Sequence, residues 1–156
     1  MEEIELRDAT KEDAAVFAEY RFRMFVDMHP DRDFSGSRDG FVRKSKDYYS
    51  ARLGSKDEYS CVAVADGKVV ACGSVTFRTR PPHIDYFEND LGYIHSIYVE
   101  NEFRRRGISK AIMARLHEEA RKHGMRKIGL HASESGRLVY ESMGYSENDS
   151  YLEAEL

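Results

Sequence analysis

Tyr93-Ile94-His95-Ser96-Ile97-Tyr98-Val99, then Glu100-Asn101-Glu102-Phe103, then Arg104-Arg105-Arg106-Gly107-Ile108-Ser109-Lys110 is the stretch whose reading decides the fold of this 156-residue chain. The first part is rich in β-branched and aromatic residues, and period two puts Tyr93, His95, Ile97 and Val99 on one face of a strand. A short turn follows, and a helix starts inside a run of Arg and Gly. Over 107–123 the period becomes helical: Ile108, Ala111, Ile112, Leu116 and Ala120 share a face, and Gly124 ends it. The first turn of a helix carries unpaired N–H groups and the positive end of the macrodipole. Gly107 places no Cβ between those amides and an anion, and three arginines with Lys110 add charge. The pattern predicts a phosphate or pyrophosphate site. It is not a P-loop, because no Gly-Lys-Ser/Thr follows a leading Gly, and the G-x-G-x-x-G spacing of a dinucleotide site is absent.

Working outward, 4–7 alternates apolar and charged residues as a short strand. Thr10 and Asp13 form a capping arrangement, and Ala14, Phe17, Ala18, Phe22, Phe25 and Met28 then recur at helical spacing up to His29-Pro30. Met24 and Met28 are expected as core filler. The polar segment 31–40 predicts a loop, and 41–53 a helix terminated by Gly54. Strands over 59–65 and 68–77 are joined by an Asp66-Gly67 hairpin. After a loop over 80–90 and the strand 93–99, the pattern predicts a strand over 126–132, a short helix over 135–143 and one or two strands within 145–155. The order β-α-α-β-β-β-α-β-α-β predicts a single mixed α/β domain over 1–156.

The formal charge is −4, but nine Lys/Arg against four Asp/Glu between positions 100 and 127 give a local +5, so the rest of the chain carries −9. A basic segment in an acidic protein points to a locally held anion, and the overall balance disfavours nucleic acid as a partner. No apolar stretch is long enough to span a bilayer, and the acidic start Met1-Glu2-Glu3 is unlike a signal peptide, so a cytoplasmic location is expected. Cys61 and Cys72 lie in adjacent strands with no cationic neighbour in sequence and read as buried structural thiols. His117, His123 and His131 show no zinc-ligand spacing, and no metal is expected; His117 and His123 are placed on the exposed side of their helix.

Arg104-x-x-Gly107-x-Ser109 after a strand ending Ile97-Tyr98-Val99 resembles the acetyl-CoA signature of the GNAT acetyltransferase superfamily. Leu130-His131-Ala132 is similar to that family's fifth strand. Leu138-Val139-Tyr140-Glu141-Ser142-Met143-Gly144-Tyr145 resembles its Leu-Tyr-(x)3-Gly-Phe/Tyr element. Ile4-Glu5-Leu6-Arg7-Asp8-Ala9-Thr10-(x)2-Asp13 resembles its N-terminal strand and helix start. The resemblance implies a mostly antiparallel sheet flanked by helices and splayed between strands 4 and 5, with acetyl-CoA in the gap. It implies that amides from Arg105 through Arg106, Gly107 and Ile108 to Ser109 hold the pyrophosphate, with Arg104 opening the loop and Lys110 adding charge. The backbone of Ile97, Tyr98 and Val99 is then expected to pair with the pantetheine arm like an extra strand. An amide on the fourth strand polarises the thioester carbonyl, and Tyr140 matches the acid that protonates the departing thiolate. Ser109 stands where the signature has Gly or Ala. Ser133 stands where many relatives carry a cofactor-fixing Asn, and Gly136 where they carry Ala.

The resemblance implies transfer of acetyl to a primary amine by direct attack in a ternary complex. An amine attacks only when neutral, so a base is needed. His95 has the suitable ordinary pKa of ~6.5 and is the expected base, with Glu88, Asp90 or water as alternatives. The acidic and aromatic loop Asp85-Tyr86-Phe87-Glu88-Asn89-Asp90 suits a cationic amine through charge and cation–π contact. The alternative reading is an acyl-CoA-binding sensor or interaction domain without transfer. A homodimer is open, since dimerisation is common in the family.

Overall fold

β1 (Ile4–Asp8) leads into a short 3-10 turn (Lys11–Asp13) and α1 (Ala14–Met28) through a fixed electrostatic junction. The Thr10 amide donates to Asp13 Oδ2 at 2.8 Å, the reciprocal half of the expected capping arrangement. Arg7 donates two hydrogen bonds of 2.9 Å to the same carboxylate. That guanidinium holds the Asp13 carboxyl below its usual range. The computed structural model describes residues 2–148 and 150–156. Its remaining elements are α2 (Arg38–Arg52), β2 (Glu58–Ala65), β3 (Lys68–Arg78), β4 (Leu91–Val99), α3 (Ile108–Lys122), β5 (Lys127–Gly129) and α4 (Arg137–Ser142).

The strands form one sheet in the order β1-β2-β3-β4-β5, antiparallel up to β4 and parallel between β4 and β5. Apolar side chains on one face, including Ala63, Val75 and Ile94, pack with Ile112, Met113 and Leu116 of α3. On the other face Val62, Cys72 and Tyr98 pack with Phe17, Ala18 and Tyr20 of α1 and Tyr49 of α2. Both cysteines are free and buried, as read from the sequence, and burial pushes the Cys61 thiol up to about 12.

Several boundaries differ from the sequence reading for physical reasons. α2 starts at Arg38, inside the expected loop and across Gly40, because its first turn is held from outside. Arg38 pairs with Glu19 at 2.6 Å, and the Phe41 ring lies 6.1 Å from Phe22 and 5.7 Å from Phe25. Met28, expected in the core, is 46% exposed at the end of α1. The strand expected over 126–132 shortens to the three residues of β5. No strand follows α4 among the described residues, although one or two were expected within 145–155; Asp149 lies outside the described residues. β5 is too short an edge to template a further strand, and Tyr151 and Leu152 are exposed.

Two features of β4 create the functional geometry. Pairing with β5 covers only Leu91↔Lys127, Gly92↔Ile128 and Tyr93↔Gly129, after which the strands part. The β3 register jumps from Cys72↔Tyr98 to Ser74↔His95, so Gly73 opposes both Ser96 and Ile97, and Ser96 takes a φ of 58°. This bulge corrects the expectation that Tyr93, His95, Ile97 and Val99 share a face. Ahead of it His95 points toward α2; beyond it Ile97 and Val99 turn into the α3 core. Gly73 is what lets Ile97 sit there: a Cβ would come within 2.5 Å of Ile112 Cγ2 and 2.7 Å of Ile97 Cδ1. Gly73→Ala is therefore expected to destabilise the fold by about 1–3 kcal/mol through overpacking, read as a lower urea midpoint with an unchanged m-value.

Candidate active site

The turn after β4 builds a cradle of free amides. After Asn101–Phe103 (a 3-10 turn), Arg105 and Gly107 both adopt left-handed backbone, with φ of 62° and 78°. The amides of residues 105–110 donate to no protein acceptor among the described residues; the first helical bond of this end is Ala111 N–H to the Gly107 carbonyl at 3.0 Å. Nothing lies within 4 Å of where a Gly107 Cβ would stand, so the approach is open. Unpaired amides at the positive end of a fifteen-residue helix fit a pyrophosphate.

The three arginines divide their work. Arg104 Nε donates to the Val99 carbonyl at 2.9 Å and its Nη2 pairs with Asp27 at 2.7 Å, so its charge braces the strand end against α1. Arg106 turns outside the cleft, donating to the Glu102 carbonyl at 3.0 Å with its Cζ 4.9 Å from the Phe103 ring centre. Arg105 makes no ion pair among the described residues and lines the cleft beside Gly107, Ile108, Ser109 and Lys110. The expected cofactor residues thus converge through their backbone, while Arg106 contributes no side chain.

A single cleft of about 1500 Å³ runs from this cradle through the gap between the parted strands to the face under α1 and α2. Ile97, Tyr98 and Val99 form one wall, and Leu130, Ser133, Val139 and Tyr140 the other. The Tyr140 hydroxyl has no hydrogen-bond partner among the described residues, and burial raises its pKa. Its ring is held by Tyr145, 5.9 Å away and edge-on, and by Gly136, where a Cβ would meet Tyr140 Cε2 at 3.2 Å. Ser133 Oγ accepts from the Gly136 amide at 3.1 Å and so caps the turn before α4 while lining the cleft.

On the far side His95 sits in a chain of polar groups that the sequence reading did not anticipate. The Tyr49 hydroxyl lies 2.5 Å from Ser96 Oγ, which lies 2.9 Å from His95 Nδ1. His95 Nε2 lies 2.8 Å from Thr76 Oγ1 and 3.5 Å from the buried Glu58 carboxylate. Two oxygens on the Nε2 side favour the Nε2–H tautomer, which leaves Nδ1 as the basic nitrogen. Burial lowers the His95 pKa to about 4, helped by the positive charges of Arg21, Arg78 and Arg52, so the ring is neutral at neutral pH. Burial raises the Glu58 carboxyl. Glu58 was invisible in the sequence because only the antiparallel β2–β3–β4 register stacks it, through Thr76, beneath His95.

The alternative carboxylates lie elsewhere. Neither Glu88 nor Asp90 lines the cleft. Asp90 Oδ1 accepts from the Arg80 amide at 3.0 Å, and Arg80 Nε donates to the Asn89 carbonyl at 2.6 Å, folding the loop onto itself. Tyr86 of that loop is capped by Arg126 and Lys127, with the cations 5.1 and 4.4 Å from its ring centre. His117, expected on the surface, is half-buried, with Nε2 2.6 Å from the Tyr145 hydroxyl. His131 Nδ1 lies 2.5 Å from the Tyr93 hydroxyl at the cleft wall. No group of three or more metal-ligating side chains occurs among the described residues, and no helix is long and apolar enough to cross a membrane.

A mixed sheet that parts beside a helix N-terminal amide cradle, with a tyrosine hydroxyl and an imidazole in the gap, defines a coenzyme-A-dependent acyltransferase. The chain belongs to the acetyltransferase (GNAT) family, whose model matches residues 22–145. Its members transfer acetyl from acetyl-CoA. The structure is similar to a GCN5-related N-acetyltransferase from Ralstonia eutropha, at 26% identity over 98% of this chain and 99% of that one, with a TM-score of 0.85. It is also similar to a predicted acetyltransferase from Clostridium acetobutylicum solved with acetyl-CoA, at 26% identity over 98% of this chain and 96% of that one, with a TM-score of 0.84. A ribosomal-protein-alanine N-acetyltransferase from Brucella melitensis shares the fold at 20% identity, covering 99% of this chain and all 100% of that one, with a TM-score of 0.71. No curated protein sequence matches significantly.

Gly107→Glu puts a carboxylate where the phosphates would lie and adds a Cβ at a φ of 78°. It should abolish coenzyme A binding in a calorimetric titration and leave the far-UV circular dichroism of the fold intact. Unchanged affinity would place the phosphates elsewhere.

Proposed function

We propose that the whole chain acts as one N-acetyltransferase domain, moving acetyl from acetyl-CoA to a primary amine by direct attack in a ternary complex. The observation that carries this reading is the continuity of one cleft from the amide cradle past Tyr140 to His95. The co-substrate supplies an activated acetyl thioester. Amides 105–109 grip its diphosphate, with Arg105 and Lys110 adding charge, and the edge of β4 at Ile97 and Val99, which β5 leaves without a strand partner, aligns the pantetheine arm. The oxyanion role falls to a β4 amide next to the bulge. His95 Nδ1 accepts the proton that the acceptor nitrogen loses, directly or through the Ser96 hydroxyl or one water. Glu58 and Thr76 behind the ring hold its tautomer and position it. Tyr140 gives its hydroxyl proton to the departing sulfur as the new C–N bond forms and the C–S bond breaks.

Release of free thiol from acetyl-CoA in the presence of a panel of amines tests the transfer. Tight binding of acetyl-CoA with no thiol release for any amine would leave a binding module instead. Tyr140→Phe should lower kcat at least about 100-fold, the usual contribution of a general acid, with KM for acetyl-CoA unchanged. Loss of rate through KM alone would make Tyr140 a binding residue. The His95 pKa of about 4 places the acid limb of kcat/KM well below neutrality, with activity lost as pH falls through that value. His95→Ala should lower the rate and remove this limb; an unaltered profile would transfer the base role to water.

A further inference from the structure

We propose that the amine acceptor also carries an anionic group, a carboxylate, phosphonate or phosphate, seated by Arg21, Arg52 and Arg78 with Lys44 at the acceptor end of the cleft. This inference rests on the reading of that cleft as an amine acetyltransferase site. The four cations converge from α1, α2 and β3, and all line the same cleft as His95. None forms an ion pair within the described residues, whereas Arg7, Arg23, Arg38, Arg104, Arg106, Arg115 and Arg137 all do. Among the described residues the one carboxylate lining the cleft is Asp27, which is already taken by Arg104 at 2.7 Å.

The three guanidiniums are also held in place. Arg78 Cζ lies 4.0 Å from the Tyr93 ring centre, Arg52 Cζ 5.3 Å from Tyr48 and Arg21 Cζ 5.4 Å from Phe25. A guanidinium whose face is spent on a ring keeps its N–H edge for a planar, bidentate acceptor such as a carboxylate or phosphate. Like charges around one concave site repel each other; the buried Glu58, which Arg52 acts on but whose carboxyl burial raises, offsets them only in part, and an anion relieves the rest. These charges act on His95, whose protonation they disfavour. A bound ammonium would feel the same field and lose its proton more readily. Four cations outnumber the charge of one carboxylate, phosphonate or phosphate, and the positive field that remains after the anion is seated supplies part of the deprotonation that a weakened imidazole leaves undone. The acidic 85–90 loop, read as suiting a cationic amine, lies outside the cleft, and an acceptor with a second cationic group, such as a diamine, would bring charge of the same sign into this field.

The test compares kcat/KM for glutamate, 2-aminoethylphosphonate and glucosamine 6-phosphate with that for ethanolamine and 1,4-diaminobutane, using the full chain and acetyl-CoA. At least one anionic amine should exceed ethanolamine by about tenfold or more, and the preference should shrink as salt is raised. Which of the three wins separates carboxylate from phosphonate and phosphate. Arg52→Gln and Arg78→Gln should each reduce the anionic-to-neutral ratio about tenfold through KM. Preference for the diamine, or equal loss for all amines, would overturn the proposal. If no amine is acetylated, the transfer reading fails on its own. The anion site is then decided by the thermal shift of the coenzyme-A-saturated protein with 2-aminoethylphosphonate against ethanolamine. A shift lost in Arg78→Gln upholds the site, and equal shifts overturn it.

Discussion

The early parting of β4 from β5 is the constraint on which everything else in this protein depends. Backbone amides and carbonyls in a sheet must find partners, and β4 finds them in β5 over only three residues. Beyond Tyr93 the strand has an open edge in the middle of the molecule, lying between two helical layers. An open edge inside a protein invites an extended ligand. The helix that follows β4 then presents its N-terminal amides at the end of the same gap. One polymer-like arm along the strand and one anion at the helix are what such a groove can take together.

The bulge at Ser96 performs the second separation. By reversing side-chain alternation within one strand, it sends His95 to the face beneath α2 and Ile97 to the core beneath α3. The strand can therefore be apolar beneath α3 and polar beneath α2. Gly73 makes this possible by leaving room for Ile97 where a methyl would collide with Ile112. A packing vacancy on β3 and a buried imidazole on β4 are two sides of one local irregularity.

Electrostatics divides the cleft along its length. At the cradle, charge is supplied mostly by amides and the helix end, because Arg104 is neutralised by Asp27 and Arg106 is turned away. At the opposite end it is supplied by side chains with no ion-pair partner among the described residues. Between them His95, Ser96, Thr76, Tyr49 and the buried Glu58 form a hydrogen-bonded row in which the imidazole stays neutral at neutral pH. Desolvation and neighbouring cations act in the same direction there, which keeps the ring neutral and its lone pair free while making it a weak base.

The sequence by itself determined the order of elements through α4, the hairpin at Asp66-Gly67, the buried thiols and the turn of open amides at Gly107, since each is encoded in adjacent residues with a local physical cause. Capping at Asp13 and the amide cradle at Gly107 belong to this class, because turn chemistry and helix ends are short-range. The length of β5, the start of α2, the lack of a strand after α4 among the described residues and the reversal of faces at Ser96 were decided only by the tertiary structure. Each depends on what another segment offers, whether a partner edge, an aromatic ring or an empty space opposite a glycine. The same holds for the placement of Glu58 behind His95, and of Arg21, Arg52 and Arg78 in front of it. Residues far apart in the chain acquire a shared field only when the sheet and its helices bring them to one cavity, and no periodicity records that distance in advance.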